Sequence, residues 1–187
     1  MCVVPRWAQR LKAELETSDR RAERLARGLN REQLNWRPAP GAWGIGHCLQ
    51  HLLLGNTVYL PAIAMALLGR QASPVQEVAL GRFSQWFIRK YIAPNDATKA
   101  QAPGKVRPVE DVETSVLDEF LRSNQAARDL IVRASVYDVN RIRFRNPFVP
   151  LLRFTVGTGL EITSKHEDRH LLQAERVRQA SGFPVGR

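Results

Sequence analysis

The four histidines of this 187-residue chain form two pairs with the same spacing. His166 and His170 are four residues apart, and so are His47 and His51. On a helix, residues with this spacing project from one face, with their Cβ atoms about 5–6 Å apart. Two imidazoles placed in this way can chelate one metal ion, and imidazole suits zinc, nickel, iron or copper. Each pair is therefore a candidate part of a metal site.

The segment 166–170, His-Glu-Asp-Arg-His, also matches the H-E-x-x-H motif of zinc proteases, in which the glutamate is the general base. The surrounding sequence argues against a protease, because Gln173 and Arg176 stand where the extended motif has a glycine and a third histidine. A ferritin-like di-iron centre needs Glu-x-x-His on two helices together with further glutamates. Only Glu167-x-x-His170 has this pattern, so the di-iron interpretation is weaker still.

The number of protein ligands decides what a metal at these histidines does. Three ligands and an open position make the ion catalytic, able to acidify a bound water or to bind a thiolate, whereas four ligands make it structural.

Two nearby residues are candidates for supporting roles. Cys48 lies three residues before His51, and we expect a small buried apolar residue there in preference to a nucleophile. Gln173 continues the face of His170, either as a pocket residue or in a helix–helix hydrogen bond.

Apolar periodicity predicts the helices that must position these residues. Four long helices are expected over about residues 5–28, 44–68, 110–136 and 156–180. Gly28 is expected to end the first helix, and Pro61 is expected to kink or break the second. The connection 69–108 contains one short helical piece, residues 137–150 are predicted to be a loop, and no segment carries a strand signal.

These elements predict an all-α fold, a four-helix bundle that covers residues 1–187 as one domain. The core of a bundle is where side chains of different helices face one another, so histidines of the second and fourth helices can meet there around one ion. Long crossover connections join parallel neighbouring helices in such bundles. We expect the residues of 69–108 and 137–150 to wall a pocket beside the metal.

Composition limits the cellular setting and the partners. Two cysteines, Cys2 and Cys48, indicate a reducing, cytoplasmic setting without disulfides. The apolar run 52–68 contains Pro61 and falls short of the roughly 18 residues of a membrane span, so no membrane contact is expected. The net charge is +10. It indicates a solvated basic surface in preference to a nucleic-acid site, because the arginines are spread along the chain without a recognition motif.

Three segments carry a family resemblance: residues 34–45 (LNWRPAPGAWGI), His51-Leu52, and residues 166–173 (HEDRHLLQ). In this order they resemble the DinB-like superfamily of small bacterial four-helix proteins, and the resemblance covers nearly the whole chain. It implies an up-up-down-down bundle, frequently a homodimer, with a divalent metal held by three histidines. Matched by position, the ligands are His51, His166 and His170. His47 falls where many members have a carboxylate, and it is expected to face the pocket, to support the ligands or to point to solvent.

The resemblance also implies an activity, since characterised members include thiol-dependent transferases and a maleylpyruvate isomerase. The chain is thus expected to use a divalent ion (zinc, nickel or iron) on a small-molecule substrate, as a hydrolase or as an S-transferase with a low-molecular-weight thiol of the bacillithiol, mycothiol or glutathione type. Four arginines are candidates for holding an acidic thiol or substrate, with plain surface charge as the alternative: Arg82, Arg89, Arg141 and Arg143. The competing hypothesis is a non-catalytic, metal-stabilised stress or binding protein whose basic surface recruits an acidic partner.

Overall fold

The computed structural model describes residues 4–94, 101–149 and 151–184, and within these ranges it is mainly helical. In chain order the helices are α1 (Arg6–Ala26), α2 (Arg31–Asn35), α3 (Ile45–Ala66), α4 (Arg82–Phe87), α5 (Val116–Ala134) and α6 (Val156–Gln179). A π-helical turn (Ile88–Ile92) continues α4, and a 3-10 turn (Gly104–Val106) precedes α5. The long helices α1, α3, α5 and α6 pack as a bundle, so the predicted all-α four-helix architecture is confirmed. No helix in the described ranges is both long and apolar enough to cross a membrane.

Two features of the long helices differ from the prediction. The helix α5 begins at Val116 and not at residue 110, because the side-chain amide of Asn35 binds both backbone groups of Val112. The Oδ1 of Asn35 accepts from the Val112 N–H (2.7 Å), and the Nδ2 of Asn35 donates to the Val112 carbonyl (2.9 Å).

The helix α3 is not broken at Pro61. Pro61 and Thr57, whose carbonyl loses its helical partner there, are both exposed, so water can replace the missing bond.

A two-stranded hairpin begins within the predicted loop 137–150 and ends directly before α6. Its strands β1 (Arg143–Arg145) and β2 (Arg153–Thr155) pair antiparallel, with Phe144 opposite Phe154. These two phenylalanines are buried against the bundle, and the arginines beside them are exposed. The expectation that no strand is present was wrong because three residues are too few for an alternating pattern to stand out.

The first and last long helices run in the same direction. Arg10, near the start of α1, forms an ion pair with Glu161, near the start of α6. Further along both helices, Nε of Arg21 lies 2.8 Å from Oε1 of Glu175. The contacts therefore advance together along the two helices, which makes α1 and α6 parallel neighbours.

The other two long helices run opposite to this pair. His51, early in α3, meets His170, late in α6, and Ile63, late in α3, lies against Gly159, early in α6. The ends of α5 lie in the same apolar clusters as the corresponding ends of α3. The directions are thus up for α1, down for α3, down for α5 and up for α6.

This order corrects the predicted up-up-down-down topology. One long crossover, from α3 to α5, joins two parallel helices, as such connections do. The connection through α2 and the β1–β2 hairpin each reverse the chain instead. Connection lengths are visible in the sequence, but the end of the bundle at which each connection leaves and re-enters is not.

Close packing around Gly159 generates a stability prediction. A Cβ added at Gly159 would lie 2.7 Å from the ring of Phe144 and 2.9 Å from Cδ1 of Ile63. We expect Gly159→Ala to lower the free energy of unfolding by about 1–3 kcal/mol, because overpacking a tight core forces neighbours out of position. Urea denaturation measures this change.

The matched control is Gly55→Ala in α3, where the nearest atom to an added Cβ, Cε1 of His166, is 3.8 Å away. There, relief of the glycine penalty in a helix should raise the free energy of unfolding by about 0.5–1 kcal/mol. Equal stability of the two variants would contradict the packing described for Gly159.

Candidate metal centre

Three of the four histidines meet between α3 and α6. His51 projects from the second turn of α3, and His166 and His170 project from one face of α6. One ring nitrogen of each lies within 4.8 Å of the others, and the three ring centroids are 4.5 to 4.9 Å apart. The antiparallel packing of α3 and α6 therefore brings together the residues that the sequence singled out as candidate ligands. We refer to His51, His166 and His170 as the histidine triad.

Hydrogen bonds fix which nitrogen of two of these rings is free. Nδ1 of His51 donates to the carbonyl oxygen of Val106 at 2.6 Å, since a carbonyl can only accept. Nδ1 of His170 donates to Oε1 of Gln173 at 3.0 Å. In both neutral rings Nε2 then carries the lone pair, and Nε2 of His51 lies 3.1 Å from Nε2 of His166. Such outer hydrogen bonds orient histidine ligands in metal proteins.

The electrostatics of the triad keep its imidazoles uncharged. Burial lowers the pKa of His51, and burial together with the neighbouring His51 lowers the pKa of His170 to about 3. The pKa of His166 lies well below its ordinary value, first through burial and then through the two other rings. A metal ligand must be a neutral imidazole, so these shifts suit ion binding near pH 7. The chemistry of the donor set thus fits a divalent cation.

Two residues that hold the triad were not identified from the sequence. The Trp43 ring packs against His51 and His170, with centroid distances of 4.8 and 5.6 Å. Val106 contributes only its carbonyl, a group every residue has, so no side-chain signal marks it. Trp43 lies in the segment 34–45 that carries the family resemblance. This position was the sequence signal from which its contact with the triad could have been predicted.

His47 lies outside the triad, in the first turn of α3. Its Nδ1 accepts from the backbone N–H of Gly44 at 3.1 Å, so its Nε2 is protonated and donates to the carbonyl of Glu110 at 3.1 Å. The side chain is buried beside the guanidinium of Arg37, and burial lowers its pKa. His47 therefore caps the start of α3 and ties it to the segment before α5. It takes none of the three positions expected for it, because both of its nitrogens bind backbone groups.

Cys48 has the buried apolar role expected for it. Its side chain is fully buried next to Leu49 in the apolar cluster at one end of the bundle. Burial raises the pKa of the thiol far above its ordinary value, so no thiolate forms near pH 7. Gln173 combines the two roles considered for it, since it lines the cleft described next and bonds a residue of the triad.

The triad forms part of the wall of a large cleft with a volume of about 1750 Å³. Residues from 69–108 and 137–150 wall it, as expected, and many are aromatic: Phe83, Trp86, Phe87, Tyr91 and Phe148. Three arginines line it: Arg107, Arg169 and Arg176.

The four arginines proposed from the sequence do not line this cleft, and that prediction is corrected. The cleft side of α4 and of the π-helical turn that follows it presents aromatic rings, and neither Arg82 nor Arg89 lines the cleft. The strand register puts Arg143 on the exposed face opposite the buried Phe144. Arg141 is exposed, 3.4 Å from Asp138.

Glu167 points away from the cleft, into the centre of the bundle. Nδ2 of Asn124 donates to its Oε2 at 3.1 Å, and its Oε1 is buried with no hydrogen-bond partner among the described residues. Burial raises the pKa of the carboxyl group to about 8, so it is largely protonated at pH 7. A carboxyl group in this position is no general base for the cleft, which agrees with the rejection of a protease from the sequence.

This raised pKa generates a pH prediction. The folded chain holds a proton on Glu167 up to about pH 8, whereas the unfolded chain releases it near the ordinary value of 4.5. The contribution of Glu167 to the free energy of unfolding is fully present below the pKa that the group has in the unfolded chain. It is lost as the pH rises through the pKa that the group has in the folded chain. In Glu167→Gln, we expect this loss of stability between about pH 5 and 8, up to about 1.4 kcal/mol per pH unit, to disappear.

Urea denaturation at several pH values in EDTA measures this effect. The matched control is Glu16→Gln, since Glu16 is an exposed residue of α1. It should shift the wild-type stability curve without changing its shape. A constant difference between wild type and Glu167→Gln across this pH range would show that Glu167 is ionised in the fold.

Comparisons with known proteins agree with this architecture. The chain is similar in fold to YfiT from Bacillus subtilis, with a TM-score of 0.61 and 12% sequence identity over 95% of this chain and 89% of that one. YfiT is described as a probable metal-dependent hydrolase with an unusual four-helix bundle topology. No curated protein matches this sequence. Residues 14–174 match the family model of the DinB superfamily. Since this match spans most of the chain, the protein belongs to the DinB superfamily.

Proposed function

We propose that this protein is a metal-dependent enzyme whose divalent ion is held by His51, His166 and His170. The observation that carries the proposal is the triad itself, with three uncharged imidazoles whose nitrogens converge beside a large cleft. Membership of the DinB superfamily and the description of YfiT as metal-dependent support it. Bound there with three protein ligands, a zinc, nickel or iron ion would supply Lewis acidity at an open position that water or a thiolate can take.

The residues around the triad supply positioning. The Val106 carbonyl and the Gln173 amide hold two of the rings by their Nδ1 atoms, so that Nε2 is presented for binding. Trp43 packs against the rings and limits the access of water to them. These contacts set the rings in advance, so little conformational freedom is lost when a ligand binds.

The cleft favours a small-molecule substrate with an anionic group. Arg107, Arg169 and Arg176 place cationic groups along its wall. Arg107 directly follows Val106, whose carbonyl binds His51, so the backbone of Arg107 lies next to the triad and its side chain lines the same cleft. The reaction we propose is hydrolysis, or transfer of an electrophilic group to an acidic low-molecular-weight thiol of the bacillithiol, mycothiol or glutathione type. In either case the arginines would hold the carboxylates of the thiol or of the substrate while the reacting atom faces the triad.

Metal content of the untagged protein tests the ligand set. We expect about one divalent ion per chain and an affinity at least about 100-fold lower in His51→Ala, because direct ligands contribute more than the residues that support them. The matched control is His47→Ala, which should keep the metal and lose about 1 kcal/mol of stability with its helix cap. Elemental analysis after exhaustive dialysis measures the first effect, and urea denaturation measures the second. Equal metal loss in the two variants would show that the ligand set is wrong.

Turnover separates an enzyme from a metal-stabilised binding protein. Metal-loaded protein is incubated with thiols and a panel of electrophiles, and separately with esters and amides. We expect an activity that His166→Ala abolishes, with Arg107→Gln raising KM for an anionic thiol or substrate about tenfold, as expected for the loss of one charge-assisted bond. Arg122→Gln, an exposed change on α5, is the control for lost surface charge. Stoichiometric metal without turnover on any panel member would favour the binding protein.

A further inference from the structure

The β1–β2 hairpin carries a cluster of uncompensated positive charge. Residues 142–160 contain three arginines and no aspartate or glutamate. Arg143, Arg145 and Arg153 are exposed on its outer face, and none forms an ion pair with a described residue. Arg145 stands directly opposite Arg153 in the strand register. Like charges in this position destabilise a hairpin, so the arrangement indicates an anionic partner.

The turn between these strands exposes aliphatic side chains. Leu151 is 98% exposed and Val149 is 47% exposed. Both lie at the mouth of the cleft, close along the chain to the opposed Arg145 and Arg153. A leucine almost entirely in water, next to a cluster of cations, is unusual for a surface that meets only solvent.

Aromatic residues of α4 and the following turn extend this surface. Phe83, Trp86 and Tyr91 are substantially exposed and line the same cleft mouth. The ring of Phe83 stacks with that of Phe154, 6.3 Å between centroids, on the buried face of the hairpin, which places α4 beside the hairpin. Residues 78–94 also contain three basic residues and no acidic one. The exposed basic and apolar side chains of the hairpin and of residues 82–91 are here called the rim surface.

We propose that the rim surface docks on an anionic lipid bilayer. Arginines meet the lipid phosphates, the aliphatic tip enters the acyl boundary, and tryptophan and tyrosine prefer this interfacial depth. Peripheral docking needs no membrane-spanning helix, so it is compatible with the helices described above. It differs from the sequence-based expectation of no membrane contact, which rested on the absence of a spanning segment. Of the arginines proposed from the sequence, Arg82, Arg89 and Arg143 lie on the basic segments of this surface, whereas Arg141 is paired with Asp138.

The chemistry of the tip favours lipid over two other occupants. A nucleic acid stacks its bases on aromatic rings and gains nothing from protruding leucine and valine side chains. A second copy of this chain, docked by the same face, would place the arginine cluster of one copy near that of the other. A bilayer with anionic headgroups satisfies both the cations and the aliphatic tip.

Vesicle co-sedimentation of the full chain as purified tests the proposal. We expect binding to phosphatidylcholine vesicles that contain phosphatidylglycerol and little binding to phosphatidylcholine alone. The double variant Arg145→Gln/Arg153→Gln should bind the anionic vesicles about 30-fold more weakly, and Leu151→Asp about tenfold more weakly. Metal content should match the wild type, and thermal unfolding should not occur at a lower temperature, because all three residues are exposed and the double variant removes the like-charge contact of the hairpin.

The matched controls lie on α5, away from the rim surface. Arg122→Gln/Arg133→Gln removes the same charge, and Val132→Asp changes another exposed aliphatic residue. Both should bind vesicles within twofold of the wild type. Equal weakening by the control pair, or no effect of Leu151→Asp, would overturn the proposal, because binding would then follow net charge alone.

Two further measurements assign the surface if lipid is wrong. Tight binding of a labelled single-stranded oligonucleotide, lost in Arg145→Gln/Arg153→Gln, with no vesicle binding, would identify a nucleic-acid surface and refute the proposal. A dimer in sedimentation velocity that becomes a monomer in Leu151→Asp, again with no vesicle binding, would identify a subunit interface and refute it as well. Neither result depends on whether the triad binds a metal.

Discussion

The structure depends on the packing of three imidazoles between α3 and α6, of which His51 and His170 are buried and His166 is half-buried. Imidazoles removed from water must remain neutral, and their polar nitrogens need partners. The partners come from distant parts of the chain: a carbonyl at Val106, an amide at Gln173 and a covering ring at Trp43. The 3-10 turn and the segment before α3 have no regular bundle role, and their position is explained by these contacts with the triad.

One turn of α6 places two kinds of polar group in different environments. His166 and His170 face the cleft, while Glu167 faces the bundle centre, where Asn124 is its partner. A helix with buried polar groups on two faces needs a packing partner on each face. The helix α3 packs against one face of α6, and α1 packs against another, where Arg21 forms an ion pair with Glu175. The up-down-down-up order provides both packing partners, since α6 has a parallel neighbour in α1 and an antiparallel neighbour in α3.

Local sequence patterns predicted the fold class and the pairing of His166 with His170, because both follow from periodicity within single helices. The family resemblance, and not a local pattern, implied His51 as their partner. They failed where the outcome depends on groups far apart in sequence. His47 has the same spacing to His51 as His166 has to His170, yet its neighbours Gly44 and Glu110 turn it into a helix cap. The direction of α5 depends on the path of a long connection, and the hairpin strands are too short to show a period. Arg143 was assigned to the cleft because the sequence does not show which face of a three-residue strand is buried.

The triad combines one local and one remote component, and this has a consequence for the order of assembly. His166 and His170 need only one helical turn to be neighbours, so α6 can present these two imidazoles together as soon as it is helical. His51 lies more than a hundred residues away and arrives only when α3 docks, a step that must overcome the entropy of closing a long loop. An ion bound first by α6 would therefore offer His51 a binding partner as α3 approaches, and it would stabilise the docked state by mass action. Metal supply would then control how fast the bundle closes as well as what it does once closed.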